Sequence, residues 1–184
     1  TAFLARPETP EKGPQCLILD LRLPGTNGLD LQAALRKSGA IQIILSAGLG
    51  DVTSSIRAIK TEAVDFLTKP VDEQDLAAAV QRGLALDRQN RQQETVLNTV
   101  RARHARLTPR ERQVFALMTT GMLNKQIAGW LGTCERTIKV HRARVFKKME
   151  ADSLADLVRM ADRLGLPSSP EQTGIRARVC SNTP

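Results

Sequence analysis

The segment CLILDLRLPGTNG, residues 16–28, decides the expected fold. In this segment an apolar run ends on a charged residue, and turn-forming residues follow. Residues 16–19 are apolar, Asp20 is a carboxylate, and Pro24 and Gly28 follow. A short apolar run bounded by turn-forming residues predicts a buried strand. The sequence therefore predicts a strand that carries Asp20 at its carboxyl end.

Two further apolar runs, IQIILS (41–46) and AVDFLT (63–68), predict strands of the same kind. Helical patterns occupy the segments between and after the strands, which are 27–39, 51–60 and 72–86. Alternation of strands and helices predicts a parallel sheet covered by helices on both faces. This is an α/β architecture.

Three chemically active side chains lie at or just past the ends of the three predicted strands: Asp20, Ser46 and Lys69. Because the carboxyl ends of parallel strands meet at one edge of a sheet, we expect them to converge. A carboxylate can accept a phosphoryl group, a hydroxyl can contact it and an ammonium group can offset its charge. Each residue alone is common in turns, but the set predicts a phosphoacceptor site.

The composition of the 184-residue chain predicts a globular protein without a membrane segment. Hydrophobic residues make up 41% of it, and no apolar run approaches the ~18 residues that a transmembrane helix requires. No signal peptide is visible at the start. The three cysteines, Cys16, Cys134 and Cys180, show neither metal-ligand spacing nor a disulfide framework. We therefore expect a cytoplasmic protein.

The charge is distributed unevenly along the chain. Residues 1–100 carry 11 lysines and arginines against 12 acidic residues, whereas residues 101–165 carry 14 against 6. The second half therefore has a net charge of +8, which is typical of a partner such as nucleic acid. A solvated basic surface without such a partner is the alternative that charge alone leaves open.

The chain divides into four predicted parts. Residues 1–82 form the α/β domain, and residues 83–106, which lack glycine after Gly83 and lack proline, form a helical linker. A paired coiled coil is an alternative for the linker, although its apolar a/d pattern is weak. Residues 107–165 form a helical domain, and residues 166–184, rich in proline and serine, are predicted to be disordered.

The helical domain has the pattern of a helix-turn-helix. Thr108, Pro109 and Glu111 predict a capping box at the start of its first helix. A short helix, 125–131, is then followed by a turn at Gly132 and by a longer basic helix, 135–149. A helix of this kind fits the major groove of DNA.

The basic helix has an apolar face and a polar face. Ile138, Val145 and Met149 share one face, which we expect to pack on the core, together with Trp130 from the preceding helix. The residues expected to reach DNA bases are Lys139, Val140, Ala143 and Lys147. The residues expected to contact DNA otherwise, chiefly at phosphates, are Asn124 (as a helix N-cap), Lys125, Arg136, Thr137, Arg142, Arg144 and Lys148.

The first part resembles the receiver domain of two-component response regulators in the segments LILDLRLPGTNGLDL, IILSAG and AVDFLTKP. The resemblance implies a doubly wound, flavodoxin-like parallel sheet. It implies that Asp20 accepts a phosphoryl group from a sensor histidine kinase, that Ser46 is the switch hydroxyl and that Lys69 is the conserved cation. It further implies that Phe66 is the switch aromatic residue and that the Lys69–Pro70 peptide bond is cis.

The resemblance also implies a Mg²⁺ site made by Asp20, the backbone carbonyl of Arg22 and a pair of acidic residues. In the family this pair ends the first strand, well before the phosphoacceptor. The sequence contains no such pair before Asp20 and no match to the family's first two strands. We therefore expect an N-terminally incomplete receiver and an incomplete metal site in this chain.

The second part resembles the LuxR-type helix-turn-helix in LTPRERQVFALM, GMLNKQIAGWLG and ERTIKVHRARVFKKM. A receiver followed by this domain is the NarL/FixJ class of response regulators, and the ending SLADLVRMA brings the chain nearest to the FixJ, StyR and TodT branch. The resemblance implies a non-enzymatic transcription regulator. Its implied partners are promoter DNA, a sensor kinase, RNA polymerase and, when phosphorylated, a second copy of the chain.

Two alternatives to this function differ in chemistry. In the first, the regulator works without phosphorylation and uses its receiver only as a dimerisation scaffold. In the second, the chain is a phosphatase of the haloacid-dehalogenase type. Such a phosphatase requires a second aspartate two residues after the nucleophile, where this sequence has Arg22, so the sequence disfavours it.

Overall fold

The structure, a computed structural model, describes residues 13–23, 26–38, 41–48, 63–167, 169 and 175. The predicted helix at 51–60 lies outside these residues, as does most of the segment 166–184. The chain forms two compact units, Thr1–Gln93 and Glu94–Pro184.

The first unit contains the predicted parallel sheet. Its elements in chain order are β1 (Cys16–Asp20), β2 (Arg22–Leu23), β3 (Thr26–Asn27), α1 (Gly28–Ser38), β4 (Gln42–Ala47), β5 (Asp65–Thr68) and α2, which starts at Glu73. Strands β1, β4 and β5 pair in parallel in that order. Their bounds agree with the prediction to within two residues. Strands β2 and β3 form a short antiparallel pair where the sequence indicated only a turn.

Helices cover both faces of the sheet, as the pattern predicted. Alternate residues of β4 point to opposite faces, as they do in any strand. Leu45 packs with Leu35 of α1 on one face, and Ile44 packs with Ala79 of α2 on the other. Burial on both faces explains why residues 43–45 of β4 are all apolar.

Helix α2 packs closely on β1. A Cβ atom at Gly83 would lie 3.1 Å from the Cβ atom of Cys16, so a larger residue would require Cys16 or the helix to shift by a few tenths of an ångström. Four residues further along the helix, the buried Asp87 accepts hydrogen bonds from the backbone N–H of Gln15 (2.8 Å) and from Nε of Arg91 (2.6 Å). These contacts fix α2 beside the strand that ends on Asp20.

The predicted linker is helical and continues the preceding helix. Helix α2 runs from Glu73 to Ala105 without interruption. The boundary between the units falls at residues 93 and 94, so the last turns of α2 belong to the second unit, and Val100 is buried in that unit's core. Val96 is exposed, so α2, all of which the structure describes, has no continuous apolar a/d seam for a paired coiled coil. No helix in the described ranges is long and apolar enough to cross a membrane.

The second unit is helical throughout its described part. After the end of α2 it contains α3 (Pro109–Thr119), α4 (Asn124–Leu131), α5 (Glu135–Met149) and α6 (Leu154–Arg163). The predicted capping box starts α3, with the backbone N–H of Glu111 donating to Thr108 Oγ1 and that of Thr108 donating to Glu111 Oε2. Gly132 takes the left-handed conformation (φ 61°) between α4 and α5. The helix-turn-helix prediction is confirmed.

The core of the second unit extends to a residue beyond α6. Trp130 is partly buried against the core, and its Nε1 donates a hydrogen bond to the backbone oxygen of Ile175 at 2.8 Å. Ile175 itself packs against the same core. A partly buried indole N–H needs an acceptor, and Ile175 supplies it. The disorder predicted for residues 166–184 stays a prediction.

Candidate functional site

The structure brings Asp20, Ser46 and Lys69 together at the carboxyl edge of the sheet. Asp20 lies directly opposite Ser46 in the pairing of β1 with β4. The backbone N–H of Lys69 donates to the oxygen of Ala47 at 2.7 Å, which places Lys69 next to the end of β4. Its Nζ donates to Asp20 Oδ2. The convergence expected from the strand order is present.

The Asp20 carboxylate is ionised and accessible. The Lys69 ammonium on Oδ2 and the backbone N–H of Arg22 on Oδ1 (3.0 Å) hold the pKa of Asp20 below its usual value. Asp20 keeps 29% of its side-chain surface exposed and Lys69 keeps 48%. A charged carboxylate oxygen that solvent can reach is chemically able to attack an incoming phosphoryl group.

The two predicted switch residues differ in their burial. Ser46 is 7% exposed, and its backbone oxygen accepts a hydrogen bond from Leu21 N–H at 2.9 Å. Phe66 is half-buried on β5, opposite Leu45, and packs against the cluster that contains Leu45. Phe66 also lines a cleft of about 260 Å³ beside β5 and α2, across which Arg82 pairs with Asp65. The Lys69–Pro70 bond is cis, as the resemblance implied.

The described residues do not by themselves form a Mg²⁺ site. Magnesium takes about six oxygen ligands in octahedral geometry. Asp20 supplies a carboxylate and Arg22 lies in β2, where its carbonyl is the second predicted ligand. Among the described residues, no group of three histidine, cysteine or acidic side chains could hold a metal ion.

The basic helix α5 has the two faces that its sequence predicted. Ile138, Val145 and Met149 are completely buried in the core. Lys139 and Val140 are exposed, Val140 by 46%. Lys139 makes only an exposed pair with Glu135 on the same helix, at 3.5 Å. An exposed valine next to a lysine is a suitable surface for a thymine methyl group and a guanine edge.

The other residues predicted to contact DNA fall into two groups. Those that are exposed are Lys125, Arg136, Ala143, Arg144 and Lys147. Those that are half-buried are Asn124, Thr137 and Arg142. Arg142 lies four residues after Ile138 and three before Val145, which places it at the margin of the buried face.

Lys148 has a different role from the predicted phosphate contact. Its Nζ donates to Oε2 of Glu111 at 2.6 Å, and the Glu111 side chain is only 2% exposed. Burial alone would raise the pKa of Glu111, but the Lys148 ammonium and the N–H and hydroxyl groups of Thr108 outweigh it and lower that pKa. An ammonium group committed to a buried carboxylate is a structural partner, because breaking the pair leaves a buried charge.

Two arginines of the segment LTPRER also stabilise the domain. Arg110 Nη2 donates to the backbone oxygen of Leu131, at the end of α4, at 2.8 Å. Arg112 Nε donates to the oxygen of Leu107 at 3.0 Å. Part of the positive charge that indicated a nucleic-acid partner is therefore used inside the fold.

The start of α4 differs from its prediction. Leu123, not Asn124, occupies the N-cap position, and the side chain of Gln126 accepts a hydrogen bond from the Leu123 N–H at 2.7 Å. Leucine has no side-chain acceptor for the free N–H groups of the first turn. The Oδ1 atom of Asn124 is buried and has no hydrogen-bond partner among the described residues.

Comparison with sequence families assigns both halves of the chain. The model of the family "Response regulator receiver domain" matches residues 3–81. The model of the family "Bacterial regulatory proteins, luxR family" matches residues 105–161. The two matches correspond to the strand-tip cluster and to the helix-turn-helix described above.

Individual proteins match most of the chain. Nodulation protein W of Bradyrhizobium diazoefficiens is 44% identical over 162 residues, which are 87% of this chain and 71% of that protein. Response regulator protein TmoT of Ectopseudomonas mendocina is 43% identical over 150 residues, covering 81% and 68%. The solved structure of the response regulator StyR is 40% identical, covers 88% of this chain and 81% of its own, and superposes with a TM-score of 0.72.

Proposed function

The chain belongs to the two-component response regulators of the NarL/FixJ class, with a receiver and a LuxR-type DNA-binding domain, and from this premise we propose a transcription regulator switched by phosphorylation of Asp20. The observation that supports this most directly is the cluster at the strand tips. It combines an ionised, accessible Asp20 with the Lys69 ammonium and with Ser46 on the neighbouring strand.

The proposed chemistry is transfer of a phosphoryl group from a histidine of a sensor kinase. An oxygen of the Asp20 carboxylate attacks phosphorus, the bond from phosphorus to the kinase imidazole nitrogen breaks, and an acyl phosphate forms. Lys69, which already donates to this carboxylate, offsets the charge that the phosphoryl group adds. In a complete receiver, Asp20 and the Arg22 carbonyl would hold Mg²⁺ together with an acidic pair that this chain does not contain before Asp20, and the ion would offset charge on the phosphoryl oxygens.

The proposed switch connects the phosphoryl group to the face at β5. The phosphoryl oxygens attract the Ser46 hydroxyl, and Ser46 lies on β4 directly beside β5. Phe66 packs against the apolar cluster that contains Leu45 of β4, and it lines the cleft at Asp65 and Arg82. Movement of Phe66 would repack this cleft, and we propose that the altered face supports a homodimer.

The proposed output is binding of promoter DNA by α5, through which the regulator acts on RNA polymerase. Lys139 and Val140 contact bases, while Arg136, Arg144 and Lys125 contact phosphates. A dimer would present two such helices to half-sites about 34 Å apart, one turn of DNA. The exposure of Lys139 and Val140, on the face opposite the buried Ile138, supports this assignment.

DNA affinity is expected to fall steeply with salt, because lysine and arginine contacts release ions condensed on the phosphates. The logarithm of the binding constant should decrease linearly with the logarithm of salt concentration, by about 0.9 for each phosphate contacted. Fluorescence anisotropy of a labelled duplex between low and physiological salt measures this slope. An affinity that does not change with salt would count against phosphate contacts by this domain.

Lys139→Ala is expected to relax the preference at one base position by about 1–3 kcal/mol, because the substitution removes a donor to a base edge. The matched variant is Arg144→Ala, also on the exposed side of α5, which should weaken binding to all duplexes about equally and lower the salt slope. Selection from random-sequence DNA, followed by binding to single-base variants, distinguishes the two. Equal effects of both variants on selected and random DNA would contradict a base contact by Lys139.

The second candidate function is a regulator that works without phosphorylation and uses the receiver as a dimerisation scaffold. The two candidates differ in whether Asp20 becomes phosphorylated, and labelling of the full-length protein with acetyl phosphate decides between them.

A further inference from the structure

The last turn of helix α2 holds the end of the DNA-binding helix α5. Arg103 Nη2 donates to Glu150 Oε2 at 2.6 Å, and Arg103 Nη1 donates to the backbone oxygen of Met149 at 3.3 Å. Arg106 adds an ion pair to the other Glu150 oxygen at 3.6 Å. All of these residues belong to the second unit. A cation at this position also interacts favourably with the negative end of the helix dipole.

Glu150 is an unfavourable residue for the backbone conformation it adopts. It ends α5 with φ 53°, in the left-handed region, and is the single non-glycine residue with positive φ in the described part of the chain. Glycine is the usual residue at such a helix end because it has no Cβ atom to clash. The strain at Glu150 is therefore accompanied by a contact that glycine could not make, the pair with Arg103.

Arg103 is itself held in a fixed position. One turn before it, Val100 is buried in the core of the second unit. The next residue, His104, packs its ring against that of Phe115 in α3, with centroids 5.5 Å apart. The side chain of Arg103 is only 26% exposed. The end of helix α5 therefore contacts a turn of α2 that is itself packed on the core of the second unit.

We propose that Arg103 and Glu150 form a latch that sets the orientation of α5 and thereby the preference of the domain for its DNA sequence. Base contacts require side chains held to within about 0.5 Å and 10–20°, so a small rotation of α5 would move Lys139 and Val140 out of register with base edges. The latch rests on the proposed function, because its effect is on DNA sequence preference. Arg103 and Glu150 are positioning residues that act through α5.

Glu150→Gly tests the latch while sparing the fold. Glycine adopts positive φ without strain, so thermal unfolding of the full chain should occur at the same or a higher temperature. The ratio of affinities for a duplex selected by the unaltered protein and for a random duplex should fall about three- to tenfold, as expected for loss of one charge-assisted contact. Removing an acidic residue by itself favours all DNA binding, so a lower ratio cannot arise from net charge.

Charge exchange and a matched control complete the experiment. Arg103→Glu and Glu150→Arg should each lower the affinity ratio. The double variant should restore part of it, because the ion pair re-forms in reverse while the contacts to the Met149 oxygen and to Arg106 stay lost. Arg101→Met, which removes an exposed arginine from the same stretch of α2, should leave the ratio unchanged.

Two results would overturn the latch: a wild-type ratio in Glu150→Gly, or a loss in Arg101→Met as large as that in Arg103→Glu. Failure of the proposed function has a different signature. In that case the unaltered protein would show no preference for any selected duplex, and Lys139→Ala would have no effect.

Discussion

Lys148→Met is expected to destabilise the second unit by about 3 kcal/mol, because it leaves the buried carboxylate of Glu111 without its cation. Glu111 is 2% exposed, whereas Lys148 keeps 31% of its side chain exposed. We therefore expect a loss of stability at the lower end of the range for a broken buried ion pair. Trp130 is the only tryptophan in the chain and lies in the second unit, so its fluorescence during urea unfolding follows this unit alone.

The adjacent Lys147→Met is the matched control for this prediction. Lys147 is exposed on the same helix, and a surface substitution of this kind should change stability by no more than about 0.5 kcal/mol. The two variants lose the same charge, so a difference between them reports the buried pair. Equal urea midpoints for both variants would show that Lys148 contributes no more than a surface lysine.

The pair also predicts how stability depends on pH. The pKa of Glu111 is lower in the folded unit than its ordinary value, which is about 4.3 in an unfolded chain. A lowered folded pKa means that the unfolded state binds protons more readily in acid, so this contribution is fully present above about pH 5 and is lost as pH falls through the folded pKa. The stability difference between Lys148→Met and the unaltered chain should therefore shrink in acid.

The role of Lys148 shows where sequence reasoning succeeds and where it fails in this domain. The spacing of Ile138, Val145 and Met149 correctly predicted the buried face of α5. Lys148 lies three residues after Val145, which is a signal that it borders this face. Its partner could not be predicted from the sequence. Glu111 lies 37 residues away, and the capping box already gives that glutamate a role in its own helix.

The strand-tip site was more predictable than the contacts that stabilise each unit internally. Strand order follows from local alternation of apolar and helical segments, and parallel strands necessarily place Asp20 and Ser46 at the same edge. The buried Asp87 gave no such signal, because its partner, the backbone N–H of Gln15, lies 72 residues away and any residue could supply it. The latch at Glu150 likewise depends on a backbone φ that the sequence does not reveal.

Asp20→Asn is expected to abolish covalent phosphorylation of the full-length protein, because an amide oxygen is not a nucleophile that can form an acyl phosphate. Incubation with radiolabelled acetyl phosphate and Mg²⁺ measures the label directly. The label on the unaltered protein should be released by hydroxylamine, which attacks acyl phosphates and leaves phosphate esters of serine intact.

Asp65→Asn is the matched control, since Asp65 is also a receiver aspartate in an ion pair, with Arg82, and lies at the opposite end of β5 from Lys69. It should keep the label, because the control carboxylate is not at the carboxyl edge of the sheet. Label retained in Asp20→Asn would exclude Asp20 as the acceptor. Absence of label from the unaltered protein, together with intact binding to a selected duplex, would instead favour the regulator that works without phosphorylation. Labelling of Asp20 thus distinguishes the two candidate functions in one measurement, and the DNA-binding assay tests α5 independently.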